Sequence, residues 1–175
     1  IGGSQGARIL SDIVPKALGL LPANLRQNLR ISQQAREEDC ARVQQAYAEI
    51  GMRADVQPFF TDLADRMSQA QLVISRSGAS SVADISIIGR PSILVPLAAA
   101  MRDEQTANAR ELVQAGAAQL LLEPDFTSEA LAKQIQELLT NSIQTKSMAD
   151  AALGCAKPKA ALDLANMIDA LAGDI

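Results

Sequence analysis

Two short stretches of small residues carry the chemistry most readily open to this chain. Gly2-Gly3-Ser4-Gln5-Gly6 and Ser75-Arg76-Ser77-Gly78-Ala79-Ser80-Ser81 each follow an apolar residue or run and precede a helical pattern. Such a turn presents backbone N–H groups at the positive end of a helix dipole, which favours an anion. Ser4, Gln5 and Gly6 in the first turn are candidates to hold phosphate, as are Arg76, Gly78, Ala79, Ser80 and Ser81 in the second. Taken alone, each turn is equally an ordinary connector or a helix cap. The first is neither the dinucleotide fingerprint nor a P-loop: it runs G-G-x-x-G, and no Gly-Lys-Ser/Thr follows. Two such turns beyond the carboxyl ends of strands in one open sheet form one pocket for a pyrophosphate, and a sugar nucleotide is the expected ligand class.

Four further residues belong to the same chemistry. Asp84 lies a turn and a half into the helix after the second turn, and a carboxylate accepts two hydroxyl hydrogen bonds, as a ribose diol requires. A solvated aspartate in the first half of a helix would look the same. Phe60 ends a strand near this edge, where it either flanks a base or fills the core. Glu104 and Gln105 stand at a helix start, with Asp103 as the expected N-cap, and are placed to meet sugar hydroxyls.

Composition narrows the function classes. The 175 residues suggest one domain, 48% of them are apolar and only 2% aromatic, so Leu, Ile, Val and Ala must build the core. A net charge of −4 and scarce aromatics argue against nucleic acid as a partner. The chain has no histidine, which removes a Ser-His-Asp triad, a histidine base and a His-containing metal site. Cys40 and Cys155 are far apart and suggest a reducing compartment. No apolar run approaches the ~18 residues of a membrane span.

The elements that must position these residues alternate. Residues 71–96 read as strand, tight turn, helix from Ala79 to Ile88, loop and strand, a parallel βαβ unit. Helices are expected over 7–20, 37–50, 62–70, 105–115, 128–139, 145–153 and 158 onward, with Thr61 as a cap for the third. Strands are expected over 28–34, 54–60 and 118–122, and 21–26 reads as a loop. The fold class is α/β, a doubly wound parallel sheet of Rossmann-like type. Ile1 reads as the last residue of a strand, which suggests a chain cut at a domain boundary.

In this order, the pieces resemble the carboxyl-terminal half of the MurG family, bacterial N-acetylglucosaminyltransferases acting on lipid-linked peptidoglycan precursors. The matching residues are Gly2 to Arg8, Phe59 to Leu63, Ser75 to Asp84, Gly89-Arg90-Pro91, Val95-Pro96 and Asp103 to Ala109. The resemblance implies a GT-B enzyme whose nucleotide-sugar donor domain is residues 1–157. Residues 158–175 would be a helix returning toward an N-terminal acceptor domain outside this chain. It implies UDP-N-acetylglucosamine as the ligand, with no cofactor or metal in the site. Ser4 would contact the diphosphate, the Phe60 backbone the uracil edge, Ala79 to Ser81 phosphate, Asp84 the ribose, and Glu104 with Gln105 the sugar. A lipid-linked acceptor would reach the parent enzyme through the other domain, at the cytoplasmic face of the plasma membrane. This chain alone would bind donor without turnover. The family usually has Glu at position 84, often His at 104, and Thr at 81. The alternatives are an epimerase-like UDP-sugar domain and a non-catalytic nucleotide-binding module. The apolar face of the last helix, Ala161, Leu164, Met167, Ile168 and Leu171, is expected to seek cover, with self-association as one outcome.

Overall fold

A computed structural model describes residues 1–3, 6–98 and 103–173, with side-chain surroundings through residue 170. The expected alternation is present. In chain order come α1 (Arg8–Gly19), α2 (Ala23–Arg26), β1 (Ile31–Gln34), α3 (Glu37–Glu49), β2 (Ala54–Gln57), α4 (Leu63–Gln69), β3 (Val73–Ser75) and α5 (Ala79–Ile88). Then follow β4 (Ser92–Leu94), α6 (Glu104–Gln114), β5 (Ala118–Leu120), a 3-10 turn at Glu123–Asp125, α7 (Ser128–Thr140), α8 (Ser142–Gly154) and α9 (Ala160–Gly173).

Every strand pair is parallel. β1 pairs with β2 in register Ile31 to Ala54, and β4 lies between β3 and β5, with Ile93 opposite Ile74 and Gln119. Ile1 bridges the two ladders. Its carbonyl accepts the Arg76 amide at 3.0 Å, while its amino nitrogen bonds the Ile74 carbonyl and the next amide, Gly2, reaches the Gln34 side chain. The carboxyl ends of all strands therefore share one edge.

Alternation along the strands separates two apolar layers. Ile93 and Val95 face a core with Leu10, Val14 and Leu18 of α1, Val43 and Tyr47 of α3, and Leu131, Ile135 and Leu138 of α7. Val73 and Leu94 face the other layer, with Met67 of α4, Ile85 of α5, and Ala109 and Leu112 of α6. Helices cover both sheet faces, as a doubly wound fold requires. Pro15 is buried inside α1, which continues through it to Gly19.

Several local expectations are corrected. The stretch 21–26 is not all loop, since Ala23–Arg26 forms a helical turn on Pro22. Thr61 does not cap α4: Asp62 holds that position, and its carboxylate accepts from Arg66 rather than from the helix backbone. Asp103 does hold the N-cap position of α6, but with φ 52° and no side-chain cap bond. Helix α8 starts three residues earlier than expected because Asn141 accepts the Gln144 amide at 3.1 Å. Of the two residues able to cap α7, Thr127 and Ser128, it is Thr127 that does, accepting from the Ala130 amide at 3.1 Å. Helix α9 stands apart from both layers: every side chain from Lys157 to Ala170 is exposed.

Candidate functional site

The site builds up from the sheet edge. Because Arg76 N–H bonds the Ile1 carbonyl, the two small-residue turns leave the sheet from adjacent strand positions. The first leads into α1 and the second into α5. Neither helix has a side-chain N-cap. The first-turn amides of a helix have no intrahelical acceptor, and those of Arg8 and Ile9, and of Ala79, Ser80 and Ser81, have no acceptor among the described residues. Two positive helix ends side by side make a receptor for a dianionic group.

The first turn is tightly curled. A Cβ on Gly2 would lie 2.2 Å from the Ala7 nitrogen, which no side chain can accommodate. Gly6 has φ 68°, and a Cβ there would meet the Arg36 nitrogen at 3.1 Å. The Gly6 amide closes the curl on the Gly3 carbonyl at 3.1 Å. Ser4 and Gln5, expected to contact phosphate, lie outside the described residues. Gln34, which sequence reasoning did not single out, holds this turn from below. Its Oε1 accepts the Gly2 amide at 3.2 Å, and its Nε2 donates to the carbonyls of Gly3 at 2.9 Å and Pro58 at 3.1 Å. No local pattern could have revealed it, since the partners are 24 to 32 residues away.

In the second turn Ala79 and Ser80 are exposed, and Gly78 and Ser81 half-buried. A Cβ on Gly78 would meet nothing within 4 Å, so the floor of the turn is open. Arg76 is redirected by the structure. Its guanidinium is buried, donates to the carbonyls of Val95 at 3.1 Å and Pro96 at 2.9 Å, and pairs with Glu123 at 2.5 Å. It braces the loops after β4 and β5. The sequence pattern placed Arg76 in the turn but could not show which way its long side chain runs. Fully buried Ser77 passes its carbonyl to Asn108 Nδ2 at 3.1 Å, tying α6 to this turn.

The remaining candidates divide. Asp84 and Glu104 are exposed, with no hydrogen bond or ion pair among the described residues. Gln105 is half-buried, and its Oε1 accepts the Leu97 amide at 3.0 Å, so it holds the loop after β4. The Phe60 ring is buried, with the Arg66 guanidinium carbon 4.2 Å from its centroid. Phe59, its neighbour, is 65% exposed at the same edge. Arg66 also donates to Ser32 at 2.9 Å and to Asp55 and Asp62 at 2.7 Å each. The Asp62 carboxyl is held below its ordinary value by Arg66, and that of Asp55 by Gln57 and then Arg66. The loop carrying Phe59 and Phe60 is thus pinned from one side by Arg66 and from the other by Gln34.

Comparison with known proteins agrees with this fold. Residues 1–166 match the family model described as "Glycosyltransferase family 28 C-terminal domain". The chain is 52% identical over 157 residues to a Granulibacter bethesdensis protein named UDP-N-acetylglucosamine--N-acetylmuramyl-(pentapeptide) pyrophosphoryl-undecaprenol N-acetylglucosamine transferase, covering 90% of this chain and 40% of that one. A Zymomonas mobilis protein of the same name is 44% identical over 175 residues, covering 100% and 45%. Among solved structures, Acinetobacter baumannii MurG superposes with a TM-score of 0.87 at 33% identity, covering 97% of this chain and 48% of that one. The chain thus spans about half the length or less of the relatives it matches.

Proposed function

Since the chain belongs to the glycosyltransferase family 28 C-terminal domain family, we propose that it is the donor-binding half of an inverting transferase. The parent enzyme moves N-acetylglucosamine from UDP-N-acetylglucosamine to the lipid-linked muramoyl-pentapeptide precursor of peptidoglycan. The observation that carries the reading is the 3.0 Å bond from Arg76 N–H to the Ile1 carbonyl. It sets two uncapped helix starts beside each other, a match for the two phosphates of a nucleoside diphosphate.

In this reading Ser4, Gln5 and Gly6 with the α1 amides take one phosphate, and Gly78 to Ser81 take the other. Asp84 accepts from the ribose, the Phe59-Phe60 segment meets the uracil, and Glu104 with Gln105 meets the sugar. As the glycosidic bond breaks, negative charge grows on the departing diphosphate. Fixed amides at Ala79 to Ser81 meet that charge without reorganising. The base that activates the acceptor hydroxyl belongs to the rest of the parent, so this chain binds donor and does not turn over. The parent works at the cytoplasmic face of the plasma membrane as a peripheral protein; among the described residues no helix is long and apolar enough to cross a membrane. The stripe of Leu164, Met167 and Ile168 on α9 packs on the other half of the parent, or pairs two copies when that half is missing.

Calorimetric titration with UDP-N-acetylglucosamine, UDP and NAD tests the reading. Heat with the two uridine ligands and none with NAD is the expected result. Silence with all three leaves a scaffold module instead.

A further inference from the structure

We propose that Gln34 is a positioning residue that makes the diphosphate turn and the base-side loop act as one receptor for a nucleoside diphosphate. The inference rests on the donor-binding reading above and extends it to a residue that touches no ligand. Gln34 ends β1 and is 7% exposed. A glutamine amide there has no reason to be buried except its partners, because burying an unpaired amide is costly. All of those partners lie in the two loops: the amide of Gly2 and carbonyl of Gly3 in one, the carbonyl of Pro58 in the other. The donor and acceptor ends of the amide are fixed by this set, since one neighbour donates and two accept.

The arrangement couples the loops. Nε2 is shared between Gly3 and Pro58, so a shift of either carbonyl loosens the hold on the other. If Gln34 lets go, the first turn keeps, among the described residues, its Gly6 to Gly3 closure and the Ile1 bonds to Ile74 and Arg76, while the 58–60 segment keeps the strand pairing before it and the Arg66 contact on Phe60. A ligand that must meet both loops at once then pays the entropy of ordering them, which a preformed receptor avoids.

The test is calorimetric titration of the 175-residue chain and two variants with UDP, well below the melting temperature. Gln34→Leu keeps the approximate volume and removes all three bonds; UDP affinity is expected to fall about tenfold, the usual size for a lost buried network. Gln34→Glu keeps the acceptor for Gly2 but turns a carboxylate on two carbonyls at neutral pH. Its affinity relative to the parent is expected to be low at pH 7.5 and to recover toward pH 5, where the protonated carboxyl again donates. Taking the ratio to the parent at each pH removes the titration of the ligand's own phosphate. A residue that merely stabilised the fold would shift melting without moving this ratio. If the parent binds UDP while Gln34→Leu stays within twofold of it, or if the Gln34→Glu ratio is flat with pH, the inference falls and the donor reading stands. If the parent takes up no UDP, both fall.

Discussion

The Arg66 guanidinium sits 4.2 Å from the centre of the Phe60 ring and covers it, while the adjacent Phe59 ring stands in solvent. The two phenylalanines therefore do different work. Phe60→Ala removes a buried ring and its cation contact, and is expected to cost about 3 kcal/mol in urea unfolding. Phe59→Ala is expected to leave unfolding within about 0.5 kcal/mol of the parent, as exposed positions generally do. Uridine affinity in the same calorimeter should drop for Phe59→Ala if that ring stacks on the base.

Arg76 gives a second prediction, and a contrast. Its charge is buried against Glu123 and two carbonyls. Arg76→Ala leaves a half-buried carboxylate and two carbonyls without partners, and should destabilise the chain by about 3 kcal/mol. Replacing both members, Arg76→Met with Glu123→Met, should recover much of that loss, because an apolar pair leaves no stranded charge. Guanidinium melts of the four proteins complete the cycle. A phosphate-contacting arginine would instead lower UDP affinity with little change in stability.

These two cases also mark what the sequence could disclose. The helices and their order were legible because apolar periodicity is local: α5 matched its expected bounds, Ala79 to Ile88, and α3 fell within one residue of them. Both turns were legible from Gly and Ser at strand ends. Direction was not legible. Arg76 lies within a turn that offers amides outward, yet its side chain runs inward to carbonyls 19 and 20 residues away. Gln34 reads as one polar residue in a short strand, and its importance lies in three partners that only the fold assembles. Thr61 looked like a cap, but the N-cap position falls one residue later, at Asp62, whose carboxylate pairs with Arg66 one turn on instead of bonding the helix backbone.

Stability should depend on pH through three aspartates. Asp39 is held below the ordinary value of 3.8 chiefly by Arg42, with help from Arg8, and Asp55 and Asp62 are depressed as described. A carboxyl with a lowered folded-state pKa stays ionised in the fold while the unfolded chain already takes up its proton. Its contribution is complete above the unfolded value and disappears as pH falls through the folded one. The aspartates' contribution to the melting temperature should therefore be level from pH 7 to about 5 and decline below about 4. Asp39→Asn should lower the plateau and make the decline shallower; an unchanged slope would remove Asp39 from the account.

Helix α9 makes a prediction about association. Leu164, Met167 and Ile168 are each more than half exposed, an unusual face for a helix in water. Leu164→Glu places a charge in the middle of that stripe. If the stripe pairs two copies of this chain, light scattering at rising concentration should show the parent gaining mass while Leu164→Glu stays monomeric. If both remain monomeric, the stripe has no role in self-association.

Asp84 supplies the sharpest test of ligand orientation. It is exposed on α5, with no bond or ion pair among the described residues, so no structural role competes with a binding role. A carboxylate facing a ribose diol strengthens binding only when the hydroxyls are there. The parent should therefore prefer UDP to 2′,3′-dideoxy-UDP by about tenfold, the scale of one charge-assisted hydrogen bond. Asp84→Ala should bind UDP as weakly as the parent binds the dideoxy ligand, and should no longer distinguish the two. Asp84→Glu, one methylene longer, should keep the preference. If Asp84→Ala still prefers UDP, the hydroxyls are read elsewhere, and the nucleotide lies across the two turns in another direction.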